Sequence, residues 1–150
     1  PPIWVAAFGP KALAQAGRLG LPYLSSPMES LATLAQNYAQ HRLSAEEEDV
    51  AKPSDVPLMR TVFVSKDAKQ TAKLRQLMTE QSENSRLADG ETLDDWTIIG
   101  EPSYVRDQVE EYRQRLGMTH LIATRIRVSG LEETELRASV ALLAETLSGL

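Results

Sequence analysis

PPIWVAAFGPKALAQAGRLGLPYLSSP, residues 1–27, decides how the rest of the chain is read. Its residues 3–7, IWVAA, are short, apolar and β-prone, the signature of a buried strand. Pro10 falls where a helix takes its first residue, because its missing N–H is harmless there. Residues 12–19 are rich in Ala and Leu and stop at Gly20, a residue suited to closing a helix. Residues 21–25 follow at once as a second short strand. A strand–helix–strand unit with such tight joints favours parallel strands and a right-handed crossover. The corner between the first strand and the helix, Phe8-Gly9-Pro10-Lys11, is either plain architecture or an anion site.

Working outward, Leu31, Leu34, Ala35 and Tyr38 recur at helical spacing and predict a helix over 28–42. The charge run Glu46-Glu47-Glu48-Asp49 is expected in a solvated turn or helix end. Residues 57–65, PLMRTVFVS, form the clearest strand, and Asp67 can cap a helix over 68–85. The polar stretch 84–96 predicts a loop. Residues 98–103, IIGEPS, start a helix that runs to Leu116, with Pro102 in its first turn and Gly117 just past its end. Residues 119–127 form a fourth strand, and a last amphipathic helix covers 132–147. Helices separate every pair of strands, so the class is α/β with a parallel sheet of about four βα units. That is half of an eight-fold barrel or a small open sheet.

Composition narrows the function. The 150 residues suffice for one domain with a usable core. The net charge is -5 and the 16 basic residues are scattered, which argues against nucleic acid as a partner. Without cysteine, disulfides, thiolate chemistry and Cys-ligated zinc are excluded. The two histidines, His41 and His120, have no carboxylate at metal-ligand spacing, so no metal is expected. No apolar run approaches a membrane span, and the expectation is a soluble, cytoplasmic protein. The start at Pro1-Pro2, already adjoining a strand, suggests a piece of a longer protein.

The opening stretch, continued through Asn37-Tyr38, resembles the start of the C-terminal half of luciferase-like, flavin-dependent monooxygenases. Ile99-Gly100-Glu101-Pro102-Ser103-Tyr104-Val105, with Tyr112 and Leu116-Gly117 downstream, is similar to that family's opening of its penultimate helix. His120-Leu121-Ile122 through Arg127 looks like its last strand, with Gly130 in the loop beyond. The resemblance implies a TIM barrel of about twice this length. The present chain would supply strands five to eight and lack the N-terminal half. It further implies FMN as cofactor, in reduced form, or the deazaflavin F420. A small organic substrate would be the other partner, and this half alone would be inactive.

The resemblance also assigns the corner after the first strand to the flavin phosphate. Carried over by position, that site is Ala7, Phe8, Gly9, Lys11 and Ala12. Helix N-terminal amides favour an anion, Gly9 permits close approach, and Lys11 adds charge. Many relatives place Ser or Thr hydroxyls there, and this chain has none. The plain alternative is that Gly9-Pro10 only makes the corner. Arg125, near the C-terminal end of the last strand, is a further candidate contact for flavin or an anionic substrate. For Arg60 and Arg127 an ion pair or simple exposure is expected, because a charge inside a doubly covered strand is costly. Trp4 and Trp96 are expected to pack, Trp4 being the better candidate for flavin stacking. His41 is expected to close its helix and His120 to be structural. No catalytic acid or base is identified.

Two other readings compete. A half-barrel leaves unpaired strand edges and an exposed apolar interior, so a stand-alone assembly module that forms homo-oligomers without catalysis is the alternative. A small open-sheet nucleotide-binding protein is third, weakened by the missing Gly-x-Gly-x-x-Gly turn.

Overall fold

The computed structural model describes residues 1–83 and 91–150. Five strands alternate with five helices: β1 Val5–Ala6, α1 Pro10–Arg18, β2 Tyr23–Leu24, α2 Leu31–Glu47, β3 Pro57–Val64, α3 Ala68–Glu83, β4 Thr97–Gly100, α4 Pro102–Leu116, β5 His120–Arg125 and α5 Glu133–Leu147. The class is α/β, with parallel pairing of β1 with β2 (Val5 opposite Tyr23) and of β3 with β4 (Thr61 opposite Thr97).

The expectation of four strands is short by one. Residues 97–100 form β4 before the helix at Pro102, whereas the sequence reading ran them into the helix start. The helix expected over 28–42 instead begins at Leu31, where the Ser30 hydroxyl accepts from the Thr33 amide at 3.3 Å, and continues to Glu47. His41 is therefore inside that helix and does not close it. The acidic run ends the helix in solvent, as expected. Part of the expected loop over 84–96, and the end of the helix expected to reach 85, lie outside the described residues. Of the remainder, Leu93–Asp95 make a 3-10 turn.

The strands fall into a two-stranded sheet, β1-β2, and a three-stranded sheet in the order β4-β3-β5. Val56 meets Thr119 at one end of the β3–β5 pair, and Thr61 meets Thr124 at 3.2 Å further along, so these strands run the same way. Consecutive strands of a closed (β/α)8 barrel are neighbours. Here β5 lies beside β3, which departs from that order.

The chain divides into two compact units, Pro1–Arg60 with Tyr112–Ile122, and Thr61–Glu111 with Ala123–Leu150. In the first, α1 and α2 pack so closely that a methyl on Gly17 would collide with the His41 carbonyl. Leu13, Ala16, Tyr23, Leu34, Tyr38 and Leu58 are buried there. In the second, Phe63, Leu74, Met78, Leu93, Trp96, Ile99 and Ile126 form one apolar cluster. Trp96 is thus a core residue, as expected.

Candidate functional site

The FGPK corner leaves β1 with Ala7 buried and Phe8 exposed. Gly9 has φ 83° and ψ 167°, a region open essentially only to glycine. A Cβ on Gly9 would meet nothing within 4 Å, so the backbone demands the glycine and crowding does not. Pro10 occupies the first helical turn, and no side chain caps this end. The Gly9 carbonyl accepts from the Leu13 amide at 3.1 Å, while the Lys11 and Ala12 amides belong to the first turn, which has no intrahelical acceptors. Lys11 is exposed beside them. The corner therefore presents two outward amides, one exposed ammonium and open space above a glycine. These features fit a phosphate group.

Arg125 belongs to the second unit. It ends β5, a strand whose residues are all half-buried or exposed, so its charge carries no burial penalty. Arg127 is likewise exposed. Both line a groove of about 890 Å³ with Val128, Leu136 and Val140. Arg60 behaves in the opposite way and corrects the expectation of exposure. It is fully buried in β3, where its Nε donates to the Tyr112 hydroxyl at 2.9 Å and its Nη1 to the Met59 carbonyl at 3.0 Å. Its guanidinium carbon lies 4.9 Å from the Tyr112 ring centre.

Both histidines and Trp4 are engaged by neighbouring groups. His41 Nε2 donates to the Leu21 carbonyl at 2.8 Å. His120 lies with its ring 5.1 Å from that of Trp4, whose indole donates to Asp55 at 3.0 Å. That leaves Trp4 packed on its neighbours. Among the described residues no group of His, Cys, Asp and Glu could hold a metal. No described helix is long and apolar enough to cross a membrane.

A polar cluster that the sequence reading missed follows β2. The Glu29 carboxylate accepts from the Tyr23 hydroxyl at 2.7 Å, the Ser26 amide at 2.7 Å and the Asn37 amide group at 2.8 Å. Burial, reinforced by Glu29, pushes the Tyr23 phenol well above its usual range, so it stays neutral and serves as a donor. Ser25 accepts from the Met59 amide at 3.1 Å, which ties the same turn to β3. The partners of Glu29 lie three to eight residues from it in sequence, with no periodicity to reveal them.

Comparison with known proteins now fixes the family. The luciferase-like monooxygenase profile matches residues 1–120, and the chain belongs to that family. No curated protein matches it. Among solved structures, the monooxygenase RslO1 from Streptomyces bottropensis is similar over 98% of this chain and 47% of its own, with a TM-score of 0.72 and 17% identity. The FMN complex of a Pseudomonas putida type II Baeyer-Villiger monooxygenase, the oxygenating constituent of 3,6-diketocamphane monooxygenase, is similar over 97% and 48%, with a TM-score of 0.71 and 16% identity. A coenzyme F420 dependent tetrahydromethanopterin reductase from Methanopyrus kandleri is similar over 90% and 48%, at 0.58 and 17%. At these identities the likeness is one of fold. The chain spans about half the length of each of these structures.

Proposed function

We propose that residues 1–150 are the C-terminal half of a luciferase-like, flavin-dependent monooxygenase domain whose corner at Ala7, Phe8, Gly9, Lys11 and Ala12 holds the flavin phosphate. With β4 as an addition at the edge of β3, the other four strands, β1, β2, β3 and β5, would be the fifth to eighth of the barrel. The single observation that carries the reading is the uncapped N-terminus of α1 behind Gly9, inside the segment that matches the family. The Lys11 and Ala12 amides would donate to phosphate oxygens, with Lys11 adding a charge and Gly9 leaving room. Arg125 would serve as a further contact for the flavin or an anionic substrate. Reduced flavin, when bound, supplies the oxygen chemistry, and this chain's part is to bind and orient it. The substrate is a small organic molecule, and catalysis requires residues beyond this half.

The test is titration of the chain with FMN, riboflavin and F420. Binding of FMN about tenfold tighter than riboflavin, lost in Lys11→Gln, is the expected result. Equal affinity for FMN and riboflavin overturns the phosphate site, and preference for F420 reassigns the cofactor. A homo-oligomer without catalysis is the second reading, favoured by the half-exposed apolar residues Leu121 and Ile122 of β5. Sedimentation that finds only monomer removes it.

A further inference from the structure

The segments that follow β3 and β5 enclose a second cavity, of about 320 Å³, wholly within the second unit. It contains neither Arg125 nor any residue of the Gly9 corner. Its place follows from topology. From β3 the chain steps to β4 on one side, then returns across β3 to β5 on the other, so the strand order reverses between β3 and β5. In open parallel sheets, ligands bind outside the carboxyl ends of the strands at such a reversal. One wall of the cavity is the start of α3, with Asp67, Lys69, Gln70 and Lys73; residues 129–131, beyond β5, form the other.

The charges around the cavity are unequally satisfied. Asp67 Oδ1 accepts from the Lys69 and Gln70 amides at 2.9 and 3.3 Å, so the N-terminus of α3 is already closed by its own acid. Glu135 accepts from the Glu132 amide at 2.8 Å and from the Gln70 side chain at 2.5 Å. The Lys69 and Lys73 ammoniums, one helical turn apart on the same face, have no hydrogen bond or ion pair with any described residue. Both carboxylates are therefore engaged and both cations are not. Two ammoniums, each a point charge with three donors, balance one phosphate dianion. With its Nε2 held by Glu135, Gln70 keeps its carbonyl as an acceptor, and the Ser129 hydroxyl both donates and accepts. These neutral groups suit hydroxyls and not a hydrocarbon chain.

We infer that this cavity binds a sugar phosphate, its phosphate on Lys69 and Lys73 and its hydroxyls on Gln70 and Ser129. Its volume stands at the small end of ligand sites, the scale of one monosaccharide. Gly130, at φ 79° with nothing within 4 Å of a Cβ, keeps the rim open for entry.

The amide shifts of the isotope-labelled chain are followed by NMR during titration with glucose 6-phosphate, glucose, inorganic phosphate, malate and FMN. Saturable shifts at residues 69–73 and 129–131 are expected, with glucose 6-phosphate about tenfold tighter than glucose and than inorganic phosphate. The double variant Lys69→Gln/Lys73→Gln, both positions exposed, keeps its melting temperature and binds glucose 6-phosphate about tenfold more weakly. Ser129→Ala weakens glucose 6-phosphate and leaves inorganic phosphate unchanged. Lys11→Gln and Arg125→Gln, which test the flavin reading, have no effect here, so the two readings fail separately. No saturable shift at these residues, inorganic phosphate or malate binding as tightly as glucose 6-phosphate, FMN shifting the same amides, or wild-type affinity in the double lysine variant overturns the inference.

Discussion

The Arg75 guanidinium grips the Asp94 carboxylate through two bonds of 2.7 Å and gives a third, at 3.1 Å, to the carbonyl of Ile99 in β4. The Tyr104 hydroxyl donates to the same carboxylate at 2.7 Å. The Gly100 carbonyl takes the Ser65 amide just beyond β3, so alternation along a parallel strand turns the Ile99 carbonyl to the other side, away from β3. Arg75 therefore occupies the hydrogen-bonding position that a further strand beside β4 would use.

This clasp is pH-sensitive in a defined direction. The Arg75 bonds, helped by that of Tyr104, hold the Asp94 carboxyl below the usual carboxylate range. Its stabilising effect is complete above the unfolded value of about 3.9 and disappears as pH falls through the lower folded value. The pair is more than a third exposed on average, so screening limits it to about 1 kcal/mol. Asp94→Asn should lower stability at neutral pH by about that amount. Denaturant midpoints measured from pH 6 to pH 2 should fall less steeply in the variant, and parallel curves would contradict the assignment.

Gly17→Ala should be costly although alanine is the better helix former. The added methyl meets the His41 carbonyl and approaches the Ser44 Cβ at 2.9 Å, so α1 and α2 must separate. Overpacking of this kind costs about 1–3 kcal/mol. Thermal unfolding should show a fall of several degrees, and a melting temperature equal to or above wild type would refute the close packing.

Gly9→Ala should destabilise for a different reason. Nothing surrounds the missing Cβ, so the loss, about 1–3 kcal/mol, is backbone strain alone. A D-alanine installed at the same place by chemical ligation should recover most of it, because the mirror residue accepts positive φ. Equal destabilisation by both enantiomers would point to crowding instead.

Glu29→Gln should loosen the turn after β2. The replacement keeps the shape but puts an N–H₂ where one carboxylate oxygen accepted, at a cost of about 1–3 kcal/mol. The Tyr23 phenol, raised by burial first and Glu29 second, should then ionise at lower pH than in wild type. The raised phenol contributes stability that is whole below about pH 10 and is lost as pH climbs towards its folded value. Phenolate absorbance during alkaline titration reads this directly, and unchanged tyrosine titration would exclude the coupling.

The α/β class was legible because helices are bracketed by strong local signals: Pro10 and Pro102 at their starts, Gly20 and Gly117 beyond their ends, Asp67 as a cap whose carboxylate accepts from the Lys69 amide at 2.9 Å. The same strength hid β4. Its four residues abut Glu101-Pro102, and the helix-start signal swallowed a strand too short to show a period of its own. The exposure of Arg125 and Arg127 was not legible. All of β5 is half-buried or exposed, and exposure is decided by tertiary neighbours that local pattern does not contain. Arg60, the arginine that really is buried, donates its Nε to Tyr112, 52 residues away. The Gly9 corner was legible as a corner, since both glycine and proline announce it. The acceptor set of Glu29 was not, being gathered by a loop.

The place of β5 beside β3 also sets a timetable for synthesis. Thr61 and Thr124 meet across 63 residues, so the three-stranded sheet cannot be completed until β5 has left the ribosome. The α1–α2 pair, joined by His41 to Leu21 across 20 residues, can assemble long before. A nascent chain therefore carries a finished helical hairpin and an open edge on β3 at the same time, and during that interval the edge is available to whichever strand arrives first.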